Sequence, residues 1–321
     1  MKLLVTGGAG FIGSNYVRMI LEGTLRDIEH VTVLDKLTYA GNMENLPFLS
    51  NSKFTFIKGD ICNTQVLNEV MGKTDAIINF AAESHVDRSI LNASEFVQTN
   101  VVGTQCLLDA ALKFKVGTYL QVSTDEVYGS ISKGSWDEHA SINPNSPYSA
   151  SKASADLIAL SYFRTFGLDV RITRCSNNYG NNQYPEKIVP LFITNLLQNR
   201  QIPIYGTGEN VRDWIHVEDH CLALHEVLLR GSPGNVYNIG ANSERTNLEL
   251  TYEILALLGK QNDCIIHVQN RQGHDFRYSV DSSKISRELG FRPKISIGDG
   301  LQRTISWYKE NESWWRPLIK T

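Results

Sequence analysis

TGGAGFIG, at residues 6–13, is the most informative segment of this chain. A short apolar run precedes it, and residues 12–21 carry apolar side chains at three- and four-residue spacing. Strand, glycine-rich turn and amphipathic helix in this order are typical of the first unit of a dinucleotide-binding sheet. Gly7 permits the tight turn, Gly10 lets the backbone approach a pyrophosphate, and Gly13 lets helix and sheet pack closely. We expect the phosphates at the N-terminus of that helix.

Strand-like and helix-like patterns alternate through the first half of the chain. Short runs rich in β-branched residues predict buried strands at 2–5, 31–34, 54–57, 76–80, 119–122 and 170–173. Apolar spacing predicts helices at 12–21, 65–70, 93–113 and 149–166. This repetition indicates right-handed crossovers and an α/β fold with a doubly wound parallel (Rossmann) sheet that is covered on both faces.

The pattern changes after about residue 180. Helices are predicted at 185–198, 218–229, 247–258 and 300–308, and isolated strands at 202–205, 236–239 and 265–268. We therefore expect a smaller, mixed C-terminal region over the carboxyl edge of the sheet. The predicted division is a large domain at 1–180, to which 214–240 returns, and a smaller region at 181–213 and 241–321.

The charge balance excludes some classes of partner. The 321 residues include 31 Lys and Arg and 34 Asp and Glu, a net charge of −3 that is spread along the chain. Such a chain lacks a general positive field for nucleic acid or an anionic membrane, so local groups must bind any anionic ligand. No apolar run of about 18 residues and no leader-like pattern occur, which predicts a soluble cytoplasmic protein. The five cysteines have no metal-ligand spacing, and we expect neither disulfides nor a metal site.

Residues at the ends of the predicted strands extend the cofactor site. Asp35 ends the second strand, 22 residues after Gly13, where an acid accepts hydrogen bonds from an adenosine ribose. An acid there repels a 2′-phosphate, which favours NAD over NADP. Asp60 and Ile61 follow the third strand and are placed to flank the adenine, although a plain turn explains Asp60 as well.

Two small residues, Ala81 and Ala82, follow the fourth predicted strand. Small side chains at this point would let a cofactor pass close to the backbone. Tight packing within the protein explains the same two residues equally well.

Tyr148 and Lys152 stand four residues apart at the start of the helix predicted at 149–166. Side chains at this spacing share a helix face, about 5–6 Å apart at Cβ. A nearby ammonium favours phenolate over phenol, so we expect a lowered pKa that makes Tyr148 a base at neutral pH. Alone, the Tyr–Lys spacing is weak support for a catalytic pair. Together with the glycine-rich turn at the start of the chain, it is strong support.

With the glycine turn, Asp35, Tyr148 and Lys152 in this order, the chain resembles the extended short-chain dehydrogenases/reductases. The resemblance implies that Tyr148 removes a proton from a sugar hydroxyl while the carbon-bound hydride passes to NAD. It also implies that Lys152 holds the nicotinamide ribose.

The segment at 122–129, VSTDEVYG, begins at the carboxyl end of a predicted strand, where doubly wound sheets bind ligands. Sugar oxidation or 4-epimerisation has no evident need for two adjacent acids, whereas β-elimination does. Glu126 would remove the C5 proton, Asp125 would protonate the leaving C6 hydroxyl, and Thr124 would donate to the C4 oxygen. We expect the two carboxyls to share one proton. The alternative, capping or solvated loop acids, is favoured only without the other motifs.

Long segments resemble the nucleotide-sugar 4,6-dehydratases. They lie at 6–13, 80–89, 124–126, 148–156, 174–180, 185–187 and 211–214. The resemblance implies an NAD-dependent lyase that converts dTDP-glucose to dTDP-4-keto-6-deoxyglucose, keeps its cofactor bound, and forms a homodimer through the helices near 93–113 and 149–166.

The motifs and the resemblance together predict three sets of residues. The catalytic set is Thr124, Asp125, Glu126, Tyr148 and Lys152. The cofactor set is Gly7, Gly10, Phe11, Ile12, Gly13, Asp35, Lys36, Thr38, Asp60, Ile61, Ala81, Ala82, Ser84, Thr99, Val122, Tyr148, Lys152 and Asn177. The substrate set is Ser84, Thr124, Asp125, Glu126, Asn178, Lys187, Tyr205, Arg212, Asn247, Arg271 and His274.

Arginines in the substrate set suit a diphosphate, because a guanidinium binds phosphate oxygens in a bidentate manner. Taken alone, Arg271 or His274 is more typical of a solvated loop. The chain departs from the family pattern at Asn270 and Gln272, where Asp and Pro are common, and at 181–182, where Asn-Asn replaces a frequent Pro-Tyr.

Two other functions stay open. A UDP-sugar 4,6-dehydratase or a 4-epimerase of the same fold would prefer uridine diphosphate or release no water. A non-catalytic NAD-binding protein would need none of Tyr148, Lys152, Asp125 and Glu126.

Overall fold

A seven-stranded sheet is the centre of the computed structural model, which describes residues 1–270, 273 and 275–319. In chain order the strands are β1 (Lys2–Thr6), β2 (His30–Asp35), β3 (Phe54–Lys58), β4 (Ala76–Asn79), β5 (Thr118–Thr124), β6 (Val170–Cys175), β7 (Asn177–Tyr179), β8 (Ile202–Tyr205), β9 (Val211–His216), β10 (Val236–Ile239), β11 (Glu244–Thr246) and β12 (Ile265–Val268). The central sheet has the order β10-β6-β5-β4-β1-β2-β3, and all its neighbouring strands are parallel.

The helices cover this sheet and build the C-terminal region. They are α1 (Phe11–Leu21), α2 (Thr64–Met71), α3 (Val86–Leu91), α4 (Ala93–Phe96), α5 (Gly103–Phe114), α6 (Pro147–Phe166), α7 (Ile188–Leu197), α8 (Val217–Arg230), α9 (Asn247–Leu258), α10 (Ser283–Leu289), α11 (Ile297–Glu310) and α12 (Glu312–Trp315). The predicted doubly wound parallel sheet is confirmed.

The strand order reverses beside β1, which pairs with β2 on one side and β4 on the other. Chain segments that leave β1 and β4 therefore diverge, and a crevice opens at the carboxyl ends of these two strands. This reversal positions the site described below.

Alternating side chains of β1 enter two separate cores. Leu3 and Val5 pack on the face that α1 and α8 cover, whereas Leu4 packs on the face of α2, α5 and α6. Successive strand residues point to opposite faces, so a strand buried on both sides needs a continuous apolar run. The run at the chain start meets this requirement.

A third core holds the C-terminal region together. It joins apolar residues of α7, α9 and α11 to the rings of Trp314 and Trp315. The core lies beside a three-stranded sheet, β11-β9-β7, and a two-stranded parallel sheet, β12-β8. A smaller, mixed region therefore follows the large sheet, while β10 adds an edge strand to that sheet.

Most predicted elements agree with the structure to within two residues, but the predicted helix at 93–113 is three elements. A π-helical segment, Val97–Val102, separates α4 from α5. A π segment adds residues to a turn without changing the apolar spacing enough to be recognised from sequence.

Several elements were missed, and β9 shows why. Its sequence, VRDWIH, contains a buried arginine and a buried aspartate, Arg212 and Asp213. Buried charges break the hydrophobic pattern from which a strand is predicted.

In the described residues, no helix combines the length and the apolar character needed to cross a bilayer.

Helix α11 offers a test of close packing, because a Cβ added at Gly300 would overlap the buried Tyr179 hydroxyl. Gly300→Ala should therefore lower the free energy of unfolding by about 1–3 kcal/mol, the usual cost of overpacking. Gly298→Ala, in the same helix, meets no heavy atom within 4 Å and should be neutral or stabilising. Urea unfolding followed by circular dichroism measures both. Equal stability of the two variants would contradict the packing.

Candidate active site

Two adjoining cavities open beside the carboxyl ends of the strands. The first has a volume of about 320 Å³ and runs from the glycine turn to α6. The second, about 210 Å³, lies toward β8 and β9. Residues that line both are Glu126, Asn177, Glu186 and Lys187. The cavities therefore form one cleft with two ends.

The structure brings the sequence-predicted residues to this cleft. The first cavity is lined by the whole predicted cofactor set and by Thr124, Asp125, Glu126 and Asn178. Tyr205, Arg212 and Asn247 line the second cavity. Arg271 and His274 lie outside the described residues.

The glycine turn is built by close backbone contacts. Gly7 has φ +69°, and a Cβ there would lie 2.6 Å from the backbone nitrogen of Ala81. A Cβ at Gly13 would lie 2.5 Å from the Gly7 carbonyl oxygen. Side chains at either position would push α1 or β4 away from the turn. The first N–H groups of α1 have no intrahelical acceptor and suit an anion.

Asp35 anchors the next wall of the first cavity. Its two carboxylate oxygens accept hydrogen bonds from the backbone N–H groups of Ala9 (2.9 Å) and Leu37 (2.8 Å). Burial raises the pKa of Asp35, and these two donors oppose the rise. A carboxylate oxygen has two acceptor positions, so Asp35 can still accept bonds from a ligand hydroxyl.

Asp60 lies opposite Lys36, whose Nζ is 2.8 Å from a carboxylate oxygen. Burial alone would raise the Asp60 pKa, but the bond and charge of Lys36 and the bonds from Cys62 together outweigh it, so the pKa is lowered. Asp60 therefore stays ionised beside Ile61, and the pair forms one rim of the cavity.

For Ala81 and Ala82, the sequence left open whether small side chains serve tight packing or the close approach of a cofactor. The Ala81 backbone packs directly against Gly7, and both Ala81 and Ala82 also line the cavity. Small side chains here serve tight packing and close approach of a ligand at once.

The π-helical segment places Thr99 on the cavity and Asn100 behind it. The Asn100 side chain accepts from the Glu83 N–H (2.9 Å), donates to the Glu83 carbonyl (3.0 Å) and donates to Ser151 Oγ (2.8 Å). Asn100 thus links the loop after β4 to α6. Asn100 was not predicted, because nothing in the local sequence pattern marks the π turn.

Tyr148 and Lys152 lie in the first turns of α6. Ser146 and Ser149 form a capping box there, which fixes the start of the helix. Lys152 Nζ donates to the Val122 carbonyl at 2.7 Å, and both Lys152 and Tyr148 are buried. The helix face predicted from their spacing is therefore directed at the end of β5.

The pKa of Tyr148 differs from the prediction. Burial raises it well above the ordinary value, and the charges of Glu126 and Asp125 add to the rise. The expectation that Lys152 lowers this pKa is wrong for this arrangement: burial also lowers the pKa of Lys152, and its ammonium bonds to a carbonyl. Burial has the largest effect on the Tyr148 pKa, followed by the charge of Glu126, and spacing on α6 reveals neither.

Asp125 is the most deeply buried of the acids that line the two cavities, with 3% of its surface exposed. Burial raises its pKa well above the ordinary value, and the charge of Glu126 adds to the rise. Thr124 Oγ1 donates to one carboxyl oxygen at 3.3 Å, while Oδ2 has no hydrogen-bond partner within the described residues. A buried acid whose pKa is raised in this way holds its proton more readily than an exposed carboxyl, and it can donate that proton.

The second cavity is built around Arg212. Its N–H groups donate to the carbonyls of Val211 (2.7 Å) and Asp275 (2.8 Å), and its guanidinium lies 4.3 Å from the centre of the Tyr278 ring. These bonds hold the guanidinium at the wall of the second cavity, where it can bind an anion. Asn247 begins α9 at the same cavity.

Other members of the substrate set bond mainly to the protein. Lys187 Nζ donates to the Ser84 carbonyl at 2.9 Å. The Asn178 side chain donates to the Ser176 carbonyl and bonds to His220 at 2.8 Å. Glu186 lies in the recognised segment at 185–187 but had no predicted role, and it lines both cavities. Tyr278, outside the recognised motifs, lines the second cavity and was not predicted.

These features fit a bound dinucleotide. The glycine turn leaves no room for side chains, Asp35 closes one end, and the cavity continues to Tyr148. The second end, with Arg212, suits an anionic group.

Known proteins are similar to this chain in sequence and fold. A family model described as GDP-mannose 4,6 dehydratase matches residues 4–304. The dTDP-glucose 4,6-dehydratase of Streptomyces niveus is 54% identical over 321 residues, which cover 99% of this chain and 96% of that protein. The enzyme of the same name from Streptomyces antibioticus is 56% identical over 323 residues, with 100% and 96% covered.

A solved structure agrees with these relatives. The dTDP-glucose 4,6-dehydratase DesIV from Streptomyces venezuelae, with NAD bound, is 55% identical and superimposes with a TM-score of 0.98 over 99% of this chain and 100% of that one. The chain therefore belongs to the dTDP-glucose 4,6-dehydratases, within the extended short-chain dehydrogenase/reductase family.

Proposed function

We propose that this chain is an NAD-dependent dTDP-glucose 4,6-dehydratase of deoxysugar biosynthesis. It oxidises the sugar at C4, eliminates water across C5 and C6, and returns hydride to C6, giving dTDP-4-keto-6-deoxyglucose. The observation that carries this proposal is the meeting of Asp125 and Glu126 with Tyr148 and Lys152 on the wall of one cavity.

NAD, when bound, supplies the hydride acceptor for the first step and the hydride donor for the last. The chain's own residues would hold it: the glycine turn at the pyrophosphate, Asp35 at the adenosine ribose, and Lys152 at the nicotinamide ribose. The Asp35 carboxylate opposes a 2′-phosphate, so NAD is favoured over NADP.

Tyr148, as the phenolate, takes the C4 hydroxyl proton. Burial and the charge of Glu126 raise its pKa, so the phenol must first lose its own proton to water. Protonation of Asp125 removes a negative charge beside the ring and makes the phenolate easier to form. The state of the carboxyl pair therefore controls both the first proton transfer and the elimination.

In the elimination step, Asp125 and Glu126 take different roles because their surroundings differ. Buried Asp125 holds a proton and donates it to the leaving C6 hydroxyl. Glu126 is less buried, touches both cavities, and removes the C5 proton. Thr124 donates to the C4 oxygen as negative charge develops there.

The nucleotide sugar would extend from this point into the second cavity. Arg212 and Asn247 would meet the diphosphate or nucleoside, and Tyr205 would lie along the pyrimidine. Asn178 and Lys187 would meet the sugar-phosphate side, and Ser84 would touch the hexose. The cofactor domain would be residues 1–180 with 214–240, and the nucleotide-sugar region 181–213 with 241–321.

A homodimer is proposed through the outer faces of the helices near 93–113 and 149–166. Large apolar side chains are exposed along this surface. They are Ile90, Leu91, Val97, Leu157 and Phe166, with Leu91 86% exposed. Exposed apolar side chains on neighbouring helices favour association with a second copy of the chain.

We also propose a cytoplasmic location. All five cysteines are free, which fits a reducing compartment. Nucleotide sugars and NAD are metabolites of that compartment.

Tyr148→Phe removes the phenol and keeps the ring contact with Phe96, whose centroid is 6.3 Å away. NAD binding should persist, while the rate of dTDP-glucose conversion should fall at least about 100-fold, the usual contribution of a general base. Mass spectrometry that follows the loss of one water measures the rate. Tyr119→Phe, a buried tyrosine that lines neither cavity, is the matched control. Near-normal turnover of Tyr148→Phe would refute its role.

Asp125→Asn should separate oxidation from elimination. The amide cannot donate the proton that the leaving hydroxyl needs, so reduced cofactor should accumulate on adding dTDP-glucose while no water is lost. In the unchanged enzyme, elimination should be retained at neutral pH and lost as pH rises through the raised pKa of Asp125. Absorbance of the reduced nicotinamide and product mass measure the two steps. Unimpaired product release by Asp125→Asn would exclude it.

Arg212→Ala should raise the inhibition constant of dTDP about tenfold or more, because a charge-assisted bond to phosphate is lost. The control is Arg171→Ala, since Arg171 also donates to two backbone carbonyls, of Val227 and Leu228, and lines neither cavity. An unchanged inhibition constant in Arg212→Ala would place the diphosphate elsewhere.

A further inference from the structure

Asn45 is a buried amide at the junction of three distant parts of the chain. Its Oδ1 accepts from the Trp314 indole N–H at 2.8 Å and from the Asn182 side chain at 3.1 Å. Its Nδ2 donates to the Ala9 carbonyl at 2.8 Å. One side chain thus joins the glycine turn, the loop before α7 and the C-terminal segment.

The bond to Ala9 reaches the floor of the first cavity. Ala9 lies between Gly7 and Gly10, and its N–H donates to Asp35 while its carbonyl accepts from Asn45. The conformation of the turn is therefore held from both sides of one residue.

The bond to Asn182 reaches the opposite wall. Asn182 has φ +64°, and the preceding carbonyl, of Asn181, accepts from the Asn15 side chain of α1 at 2.9 Å. The next residue, Gln183, lines the cavity, and its carbonyl accepts from the Tyr308 hydroxyl. The Asn-Asn pair that departs from the family pattern is thus the part of this loop tied to the glycine turn.

Rings from the two walls meet across the cavity. Tyr39 and Tyr184 both line it and lie edge to face, with centroids 5.6 Å apart. The Arg88 guanidinium lies over the Tyr39 ring, 3.6 Å from its centroid, and forms an ion pair with Glu186 at 3.2 Å. Separating the walls would break this contact together with the bonds of Asn45.

We propose that Asn45, Asn182 and Trp314 form a clasp that sets the rate at which NAD leaves the cavity. The inference rests on the proposed cofactor site. A dinucleotide lying between the two walls leaves when they part, and parting exposes or orphans buried hydrogen-bonding groups. The clasp explains how a chain that returns its cofactor to the starting state within each cycle retains that cofactor between cycles. Asn45 is a positioning residue and touches no reacting atom.

The test measures NAD release without sugar. Protein loaded with isotopically labelled NAD is diluted into excess unlabelled NAD, and the label retained is followed in time. Trp314→Phe keeps a ring but removes the indole N–H, and Asn182→Gly removes the amide without straining the positive φ. Each should release NAD at least about fivefold faster, as expected from loss of one buried hydrogen bond.

Matched controls separate the clasp from general loosening. Trp307→Phe alters a ring that packs on Trp314, 5.0 Å between centroids, and Asn242→Gly changes another asparagine with positive φ, +51°. Both should release NAD at the unmodified rate. Thermal unfolding midpoints of all four variants show whether release merely follows stability.

The double variant Trp314→Phe/Asn182→Gly tests the shared acceptor. Because both bonds end on Asn45, its acceleration should be smaller than the product of the two single effects. The clasp is overturned if the double variant accelerates NAD release by the full product of the two single effects. It is also overturned if either single variant binds NAD normally and releases it at the unmodified rate. Failure of the unmodified protein to bind NAD would instead overturn the proposed cofactor site.

Discussion

Close backbone approach between Gly7, Gly13 and the start of the loop after β4 is the constraint from which the site follows. Side chains at Gly7 or Gly13 would collide with backbone atoms of Ala81 or of Gly7 itself. With hydrogen there, α1 begins directly above the carboxyl ends of β1 and β4, where the strand order reverses. The crevice, the free N–H groups of α1 and the position of Asp35 are all consequences of that approach.

Burial then gives the catalytic groups their properties. Asp125 and Tyr148 are both removed from water, and burial together with the charge of Glu126 raises the pKa of each. A carboxyl pair in such surroundings keeps a proton that an exposed pair would lose. Burial also lowers the pKa of Lys152, whose ammonium donates a hydrogen bond to the Val122 carbonyl. The electrostatic balance belongs to the assembled cavity and to none of these residues alone.

The C-terminal region acts on the cofactor end as well as on the substrate end. Arg212 stands in β9 among backbone carbonyls, and Trp314 reaches Asn45 across 269 positions of sequence. These contacts join segments that local patterns treat as unrelated. The smaller region therefore contributes to the walls of both cavities.

The sequence by itself determined the Rossmann sheet, the glycine turn and the candidate side chains that the cavity brings together, because short-range spacing carries that information: alternation for strands, three and four residues for helices, glycines at fixed intervals. Only the tertiary structure decided the π turn that places Thr99, the direction of the Tyr148 pKa, the strand that holds Arg212 and the bonds of Asn45. Those features depend on burial and on contacts between distant segments, and neither quantity has a local signature in the chain.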